Sequence, residues 1–283
     1  MKNKFLYDFI SVGSLSYDRN KYDDVINHSP VAGGAAAYSA KTSMDLGLRT
    51  GMVTSISDDY PLKKYLKQVD LIRKNKAKIP VFYNYFSGQT RVQKLFDFST
   101  HITANNLPKN LSTKILFVAP LFDEISPDCY DWFNNEISCL VPSGWFREKR
   151  NNSSVFLKNN ISKIHKGKWD IVVVSNDELI SANISLSDLS KISKYLCVTK
   201  GNRGVEIFTN NESFLVPAFE VKHKDLNGAG DVWATSFTIA ISQGKNHIES
   251  AQFANACSAI SIKYKGLEFR LIDREIHQLI DTI

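Results

Sequence analysis

Ile171-Val172-Val173-Val174 is an unbroken run of β-branched residues. A strand with one wet face alternates apolar with polar residues. A continuous apolar run suits a central parallel strand covered on both faces. Ile115-Leu116-Phe117-Val118-Ala119 reads the same way. Further out, Asp8 to Val12 reads as a first strand ending at Gly13, and Thr50 to Ile56 and Tyr195 to Thr199 as others. Gly33-Gly34 opens a helix of small residues, Ala35 to Leu46, which Gly47 stops. Val205 to Phe208, the Asn210-Asn211 turn and Phe214 to Val216 predict a hairpin. From Asp231 the pattern is helical, over Val232 to Ser242, Ile248 to Tyr264 and Arg274 to Ile280. This alternation predicts an α/β fold, a mostly parallel sheet sandwiched by helices.

Some segments stand apart from that core. Residues 14–31 are polar, and Val81-Phe82-Tyr83-Asn84-Tyr85-Phe86, within residues 79–97, alternates among aromatics. Together they predict a small β lid on a single domain spanning 1–283. Leu62, Tyr65, Leu66 and Val69 have helical spacing, which predicts a helix capped by Asp58 or Asp59. The lysines of the run Lys63 to Lys78 then face solvent. Glu148 to Ser154 reads as a loop, and Trp145 as core.

Composition narrows the function classes. The chain has 283 residues with 17 Phe, 11 Tyr and 4 Trp, too aromatic to stay unfolded. No apolar stretch approaches the roughly 18 residues of a membrane span. The N-terminus, its apolar part broken by Asp8, reads as a strand and not as a signal peptide. Cys129, Cys139, Cys197 and Cys257 are scattered, as expected of reduced thiols in the cytoplasm. The net charge of +6 admits anionic partners, but no basic stretch interleaves with aromatics, so nucleic acid is not expected as a partner. The six histidines show no metal-ligand spacing.

Asp225-Leu226-Asn227-Gly228-Ala229-Gly230-Asp231 leads directly into a helix. Two glycines and an alanine let the backbone turn tightly and aim N–H groups at the positive end of that helix, where an anion is favoured. Asp231 is ill placed to bind phosphate there but well placed to take a proton from a hydroxyl. Amides at the developing charge and a base at the nucleophile are what phosphoryl transfer needs. The alternative is a glycine turn with Asp231 as an ordinary helix cap. The P-loop and dinucleotide glycine motifs are absent.

With these residues the sequence resembles the ribokinase-like, or PfkB-type, small-molecule kinases, whose C-terminal signature is D-x-x-G-A-G-D. Gly13 to Asp18 resembles the family's first-strand element, and Gly33-Gly34 its di-glycine. Thr199-Lys200-Gly201-Asn202-Arg203-Gly204 is similar to its T-x-G-x-x-G turn, and Ala254-Asn255-Ala256 falls in the helix bordering its adenine pocket. The resemblance implies a three-layer α/β sandwich with a β lid, and an ATP-dependent kinase acting on a hydroxyl of a sugar, polyol or nucleoside. It implies Asp231 as general base and Gly228, Ala229 and Gly230 as the anion hole. Asp18, Gly33, Gly34, Tyr38 and Arg91 would bind the acceptor. Asn176, Thr199, Gly201, Gly204 and Asn255 would border the nucleotide. Glu178 would meet Mg²⁺ through water, and Asp225 a monovalent cation such as K⁺. A homodimer formed through the lid is a further implication.

The pattern departs from the family in places. Ser175 stands where the N-x-x-E motif has Asn, with Asn176 one place late. Tyr38 stands where ribose-type members carry Asn. With Ala35-Ala36-Ala37 and the aromatic lid strand, it is similar to an inositol-kinase-like branch. Ser143-Gly144-Trp145-Phe146-Arg147 lies where that branch reads D-x-Q-G-x-x-R. The altered Ser175-to-Glu178 stretch supports a different class of function, a non-catalytic relative that senses nucleotide or sugar.

Overall fold

The computed structural model describes residues 5–282 except 23–24, 27–29, 77, 88–89, 98–100, 106, 110 and 167. In chain order the elements are β1 (Tyr7–Val12), β2 (Ser16–Tyr22), β3 (Val25–Ile26), β4 (Val31–Gly33), α1 (Ala35–Asp45), β5 (Thr50–Ile56), α2 (Leu62–Tyr65), β6 (Asp70–Lys76), β7 (Val81–Ser87) and β8 (Thr90–Phe96). Then come β9 (Ser112–Val118), β10 (Asn134–Leu140), α3 (Ser143–Phe146), β11 (Arg147–Lys149), β12 (Val155–Leu157), β13 (Trp169–Ser175), α4 (Asn176–Ser181) and α5 (Leu186–Leu189). The chain continues through β14 (Ser193–Thr199), β15 (Val205–Thr209), β16 (Glu212–Val216), α6 (Ala229–Ser242), α7 (His247–Ser261) and α8 (Asp273–Ile280).

Among the described residues a nine-stranded sheet runs β16-β15-β14-β13-β10-β9-β1-β5-β6. Its pairs are parallel from β6 to β14, and β15 and β16 add an antiparallel hairpin. The apolar runs are continuous because both faces are covered. Val172, Val174, Leu140 and Val118 pack with Trp145, Phe146, Leu179 and Leu189 on one face. Ile171, Val173, Cys139 and Phe117 pack with Trp233, Phe237, Ala251 and Ala254 on the other. Each fully buried aliphatic or Phe side chain is worth roughly 1.5–3 kcal/mol, so the two apolar layers hold the sheet between its helices. Trp145 is fully buried and donates Nε1–H to the Ile125 carbonyl at 2.9 Å.

The lid is a second sheet, β3-β2-β7-β8 with β4 beside β2. Phe82, Asn84, Gln93 and Leu95 share its inner face, while Tyr85, Val92 and Phe96 are exposed on the outer one.

Three local expectations need correction. The helix through Val69 stops after the four residues of α2, and residues 70–76 form the edge strand β6. No side chain caps α2: its N-cap position is Pro61, which has no acceptor to offer, and the Asp59 carboxylate accepts the Ser57 hydroxyl. Pairing with the open edge of β5 then outweighs a weak local helix. Leu66 and Val69 still enter the core. Residues 148–154 are not only a loop, since β11 and β12 pair antiparallel across them. β10, whose first half is polar, has no counterpart in the sequence reading.

Candidate active site

The chain runs from β1 outward to β5 and β6, then returns to the other side of β1 with β9, β10 and β13. Strand order therefore reverses at β1, and a crevice opens at the carboxyl ends of the strands there, the general ligand position of open α/β sheets. Ser16 follows β1, Pro120 and Leu121 follow β9, and Val141 and Ser143 follow β10. With Ser175 and Thr199 at the ends of β13 and β14, they line one cavity of about 260 Å³. Glu124 staples the reversal. It is buried, and its carboxylate accepts the N–H groups of Ser14 at 3.0 Å, Leu121 at 2.9 Å and Phe122 at 2.7 Å.

One wall of the cavity is the start of α6. Gly228 is its N-cap at φ +76°, a left-handed conformation that a side chain would strain. A Cβ there would also lie 2.3 Å from Cδ1 of the Tyr38 ring. Glycine thus lets Tyr38 and the helix start touch. Ala229, Gly230 and Asp231 continue the wall. Outside its own helix turn, no described atom lies within 4 Å of the point where a Gly230 Cβ would sit, so that residue borders open space. The first N–H groups of the 14-residue helix lack intrahelical partners and present its positive end to the cavity.

The opposite wall belongs to the lid. Asp18 on β2 lies against Gly33, whose Cβ would come within 2.6 Å of Oδ2. Tyr60 donates its hydroxyl to the Gly33 carbonyl at 2.8 Å, which holds the di-glycine in place. Gly34 lines the cavity at φ +102°. Tyr38 is buried, its ring stacked on Phe269 at a centroid separation of 6.4 Å. Burial, then the nearby carboxylates of Asp18 and Asp225, hold its phenol well above the ordinary range. Its hydroxyl finds no partner among the described residues.

The structure brings Asp18, Gly34, Tyr38, Glu178, Thr199, Gly228, Ala229, Gly230 and Asp231 onto one surface. Other expected residues lie beside it. Asp225 is buried and accepts N–H groups from Asn227 and Gly266, each at 3.1 Å, which ties together the loops before α6 and after α7. Gly201 and Gly204 turn the chain just beyond Thr199, and Asn176 is the first residue of α4. Asn255 is buried, accepting Trp233 Nε1–H at 2.7 Å and donating to the Pro217 carbonyl at 2.6 Å. Arg91 is on β8, and its side chain lies outside the described residues.

The unusual Ser175 has a local explanation. It caps α4 in a capping box: its hydroxyl accepts Glu178 N–H at 3.1 Å, and Glu178 Oε2 accepts Ser175 N–H at 2.9 Å. One oxygen of Glu178 is committed to the cap, while the residue still lines the cavity.

Several lining residues were not among the expected site residues: Ser16, Phe82, Gln93, Ser143 and Arg147. Arg147 is the sole Lys, Arg or His among the described lining residues. It donates Nη1–H to the Leu121 carbonyl at 2.9 Å and sits 5.7 Å above the Phe82 ring. The basic residue ending the Ser143-to-Arg147 stretch was the available signal.

Sheet order, lid and helix-start cavity define the ribokinase-like class of α/β proteins. Residues 169–273 match the pfkB family of carbohydrate kinases. Ribokinase of Bacillus subtilis (strain 168) is 30% identical over 86 residues, 30% of this chain and 29% of that relative's length. A nucleoside kinase of Methanocaldococcus jannaschii is 22% identical over 259 residues, 84% of this chain and 82% of its own. The crystal structure of nucleoside kinase from that organism, an archaeal member of the ribokinase family, superposes with a TM-score of 0.74 at 18% identity, covering 98% of this chain and 99% of that one. A pyrophosphate-dependent kinase of the ribokinase family, complexed with a pyrophosphate analogue and myo-inositol, gives 0.75 at 16% identity over 95% and 99%. Residues 169–273 thus match the pfkB family, and the chain as a whole has the fold of the ribokinase-family structures.

Proposed function

We propose that this protein is a kinase that moves the terminal phosphoryl group of ATP to a hydroxyl of a small sugar, polyol or nucleoside. The observation that carries the reading is that Asp231 and the start of α6 open into the same cavity as Asp18 of the lid. Asp18 accepts from acceptor hydroxyls, with the Gly33-Gly34 backbone alongside. Asp231 takes the proton of the attacking hydroxyl as its oxygen bonds to phosphorus. The amides of Gly228, Ala229 and Gly230 face the charge that builds on the transferred group. Thr199, Gly201 and Gly204 border the donor, and Asn255 contributes by fixing α7 against the segment after β16. Lid closure over the acceptor excludes water, so that the donor is not hydrolysed.

The donor set suits Mg²⁺. Asp18, Glu178 and Asp231 outnumber Arg147 around the cavity, yet no cluster of three His, Cys, Asp or Glu among the described residues could hold a metal by itself. Glu178, and water around it, would meet an ion that travels with the donor phosphates and neutralises their charge. A monovalent cation at Asp225 is part of the proposal and is checked by exchanging potassium for tetramethylammonium during turnover. The exposed Tyr85, Val92 and Phe96 support a homodimer through the outer lid face. Among the described residues no helix is long and apolar enough to cross a membrane.

The test is a matrix of acceptors (ribose, fructose, myo-inositol, adenosine, inosine) against donors (ATP with Mg²⁺, pyrophosphate with Mg²⁺), read by phosphorus NMR for a new phosphate ester. An ester in the ATP arm is expected, and an ester only in the pyrophosphate arm replaces the donor. Ligand-dependent stabilisation with no ester in any arm favours the sensor, a reading that the capping role of Glu178 supports.

A further inference from the structure

The inner face of the lid carries a line of amides. β2 presents Asp18 and Asn20 on one face; Asn84 stands directly opposite Asn20 on β7, and Gln93 directly opposite Asn84 on β8. Gln93 Nε2 donates to Asn84 Oδ1 at 2.7 Å, and Asn84 Nδ2 donates to Asn20 Oδ1 at 2.9 Å and faces Asp18 Oδ1 at 3.5 Å. Asn20 and Asn84 are 3% and 1% exposed. Both ends of this chain, Asp18 and Gln93, reach the cavity.

The orientation of these amides follows from one fixed point. A carboxylate only accepts, so Asn84 must turn its nitrogen toward Asp18. Its oxygen then faces Gln93, which must answer with its own nitrogen. The amide of Gln93 is thereby held in one rotation where it borders the cavity. Burying amides costs free energy unless each is bonded, and apolar cross-strand pairs would hold a sheet equally well. A polar row here is better explained by what it presents to a ligand than by what it does for the lid.

Among the described residues, the aromatics of the cavity point the same way. Phe82 and Tyr38 are only 2% and 3% exposed. Arg147 lies over one ring, and the other is packed on Phe269 and Gly228. Neither offers an open face on which a nucleobase could stack, whereas the polar side chains of Ser16, Asp18, Gln93 and Arg147 line the cavity.

We propose that Gln93, oriented through Asn84 and Asn20, is an acceptor-specificity residue, and that with Asp18 it selects a compact polyhydroxylated ring, a sugar or cyclic polyol, over a nucleoside. This rests on the kinase reading above and adds the acceptor class to it. The test compares the native enzyme with Gln93→Met, which keeps length and removes the amide. For the native enzyme, kcat/KM is expected to favour ribose, fructose or myo-inositol over adenosine and inosine. In Gln93→Met the acceptor KM rises about tenfold, the loss of one hydrogen bond to a ligand, while the donor KM stays put. Asn20→Ser, outside the cavity, moves acceptor KM the same way by a smaller factor, and serves if Gln93→Met does not fold. A native preference for nucleosides overturns the proposal, as do donor and acceptor KM values that move together or an acceptor KM that does not move. Should no acceptor be phosphorylated, the kinase reading fails by itself. Calorimetric titration of myo-inositol, ribose and adenosine into native and Gln93→Met protein then still decides the acceptor class.

Discussion

Replacing Gly228 by Ala isolates the contact on which the helix-start wall depends. The residue sits at φ +76°, where a Cβ costs roughly 1–2 kcal/mol. That Cβ would also lie 2.3–2.4 Å from three atoms of the Tyr38 ring. The ring cannot swing away, because it is buried and stacked on Phe269, so either it or the first turn of α6 must shift. Overpacking of this kind costs about 1–3 kcal/mol. The total is about 3 kcal/mol, or a fall in Tm of about 6–12 °C for a domain of this size. Thermal denaturation of Gly228→Ala and of the pair Gly228→Ala/Tyr38→Leu measures it. Removing the ring should return part of the loss, a coupling of about 1–2 kcal/mol, because only the steric term depends on Tyr38. A Gly228→Ala protein melting within about 2 °C of native, or a pair whose losses simply add, would refute the contact.

Other predictions use the same geometry. Gly230→Ala meets open space, so Tm should hold, but its methyl group enters the cavity, so turnover should fall at least tenfold; steady-state kinetics beside a melting curve checks both. Glu124→Gln leaves one oxygen to accept but turns an NH₂ toward the N–H of either Ser14 or Phe122, which donate to different carboxylate oxygens, and should cost about 2–3 kcal/mol in urea unfolding, with no loss expected if those bonds contribute nothing. Burial pushes the thiols of Cys139 and Cys257 up to about 12. The folded state keeps these protons after the unfolded chain releases its own, so stability is full below about pH 9 and falls toward pH 12, by about 1.4 kcal/mol per pH unit for each thiol. Urea midpoints across pH 8–11 read the slope, and a flat profile contradicts it.

Much of the fold is legible because its signals are local. Ile171 to Val174 can only be continuous where both sheet faces are covered. Asn210 and Asn211 take φ +49° and +64°, as a two-residue hairpin turn requires. The loop from Asp225 to Asp231 carries its own instructions in its glycines. What escapes the sequence depends on partners far away in the chain. β6 is a lysine-rich segment that becomes a strand only against the edge of β5. The polar start of β10 is tolerated because it pairs with β9 outside the deepest core. Glu124 has no local pattern at all; its importance comes from Ser14, more than a hundred residues earlier. Asn84 hides in an aromatic strand, and only the pairing of β2, β7 and β8 reveals that it faces Asp18.

Asp231 is the group that receives the proton in the proposed reaction. The most direct measurement of that role is single-turnover phosphoryl transfer by Asp231→Asn, with donor affinity determined separately by calorimetry. Loss of the base should slow transfer by roughly 10²–10⁴-fold while the donor still binds within a few-fold of native. Transfer at the native rate would show that the carboxylate beside the α6 amides is not the group that receives the proton.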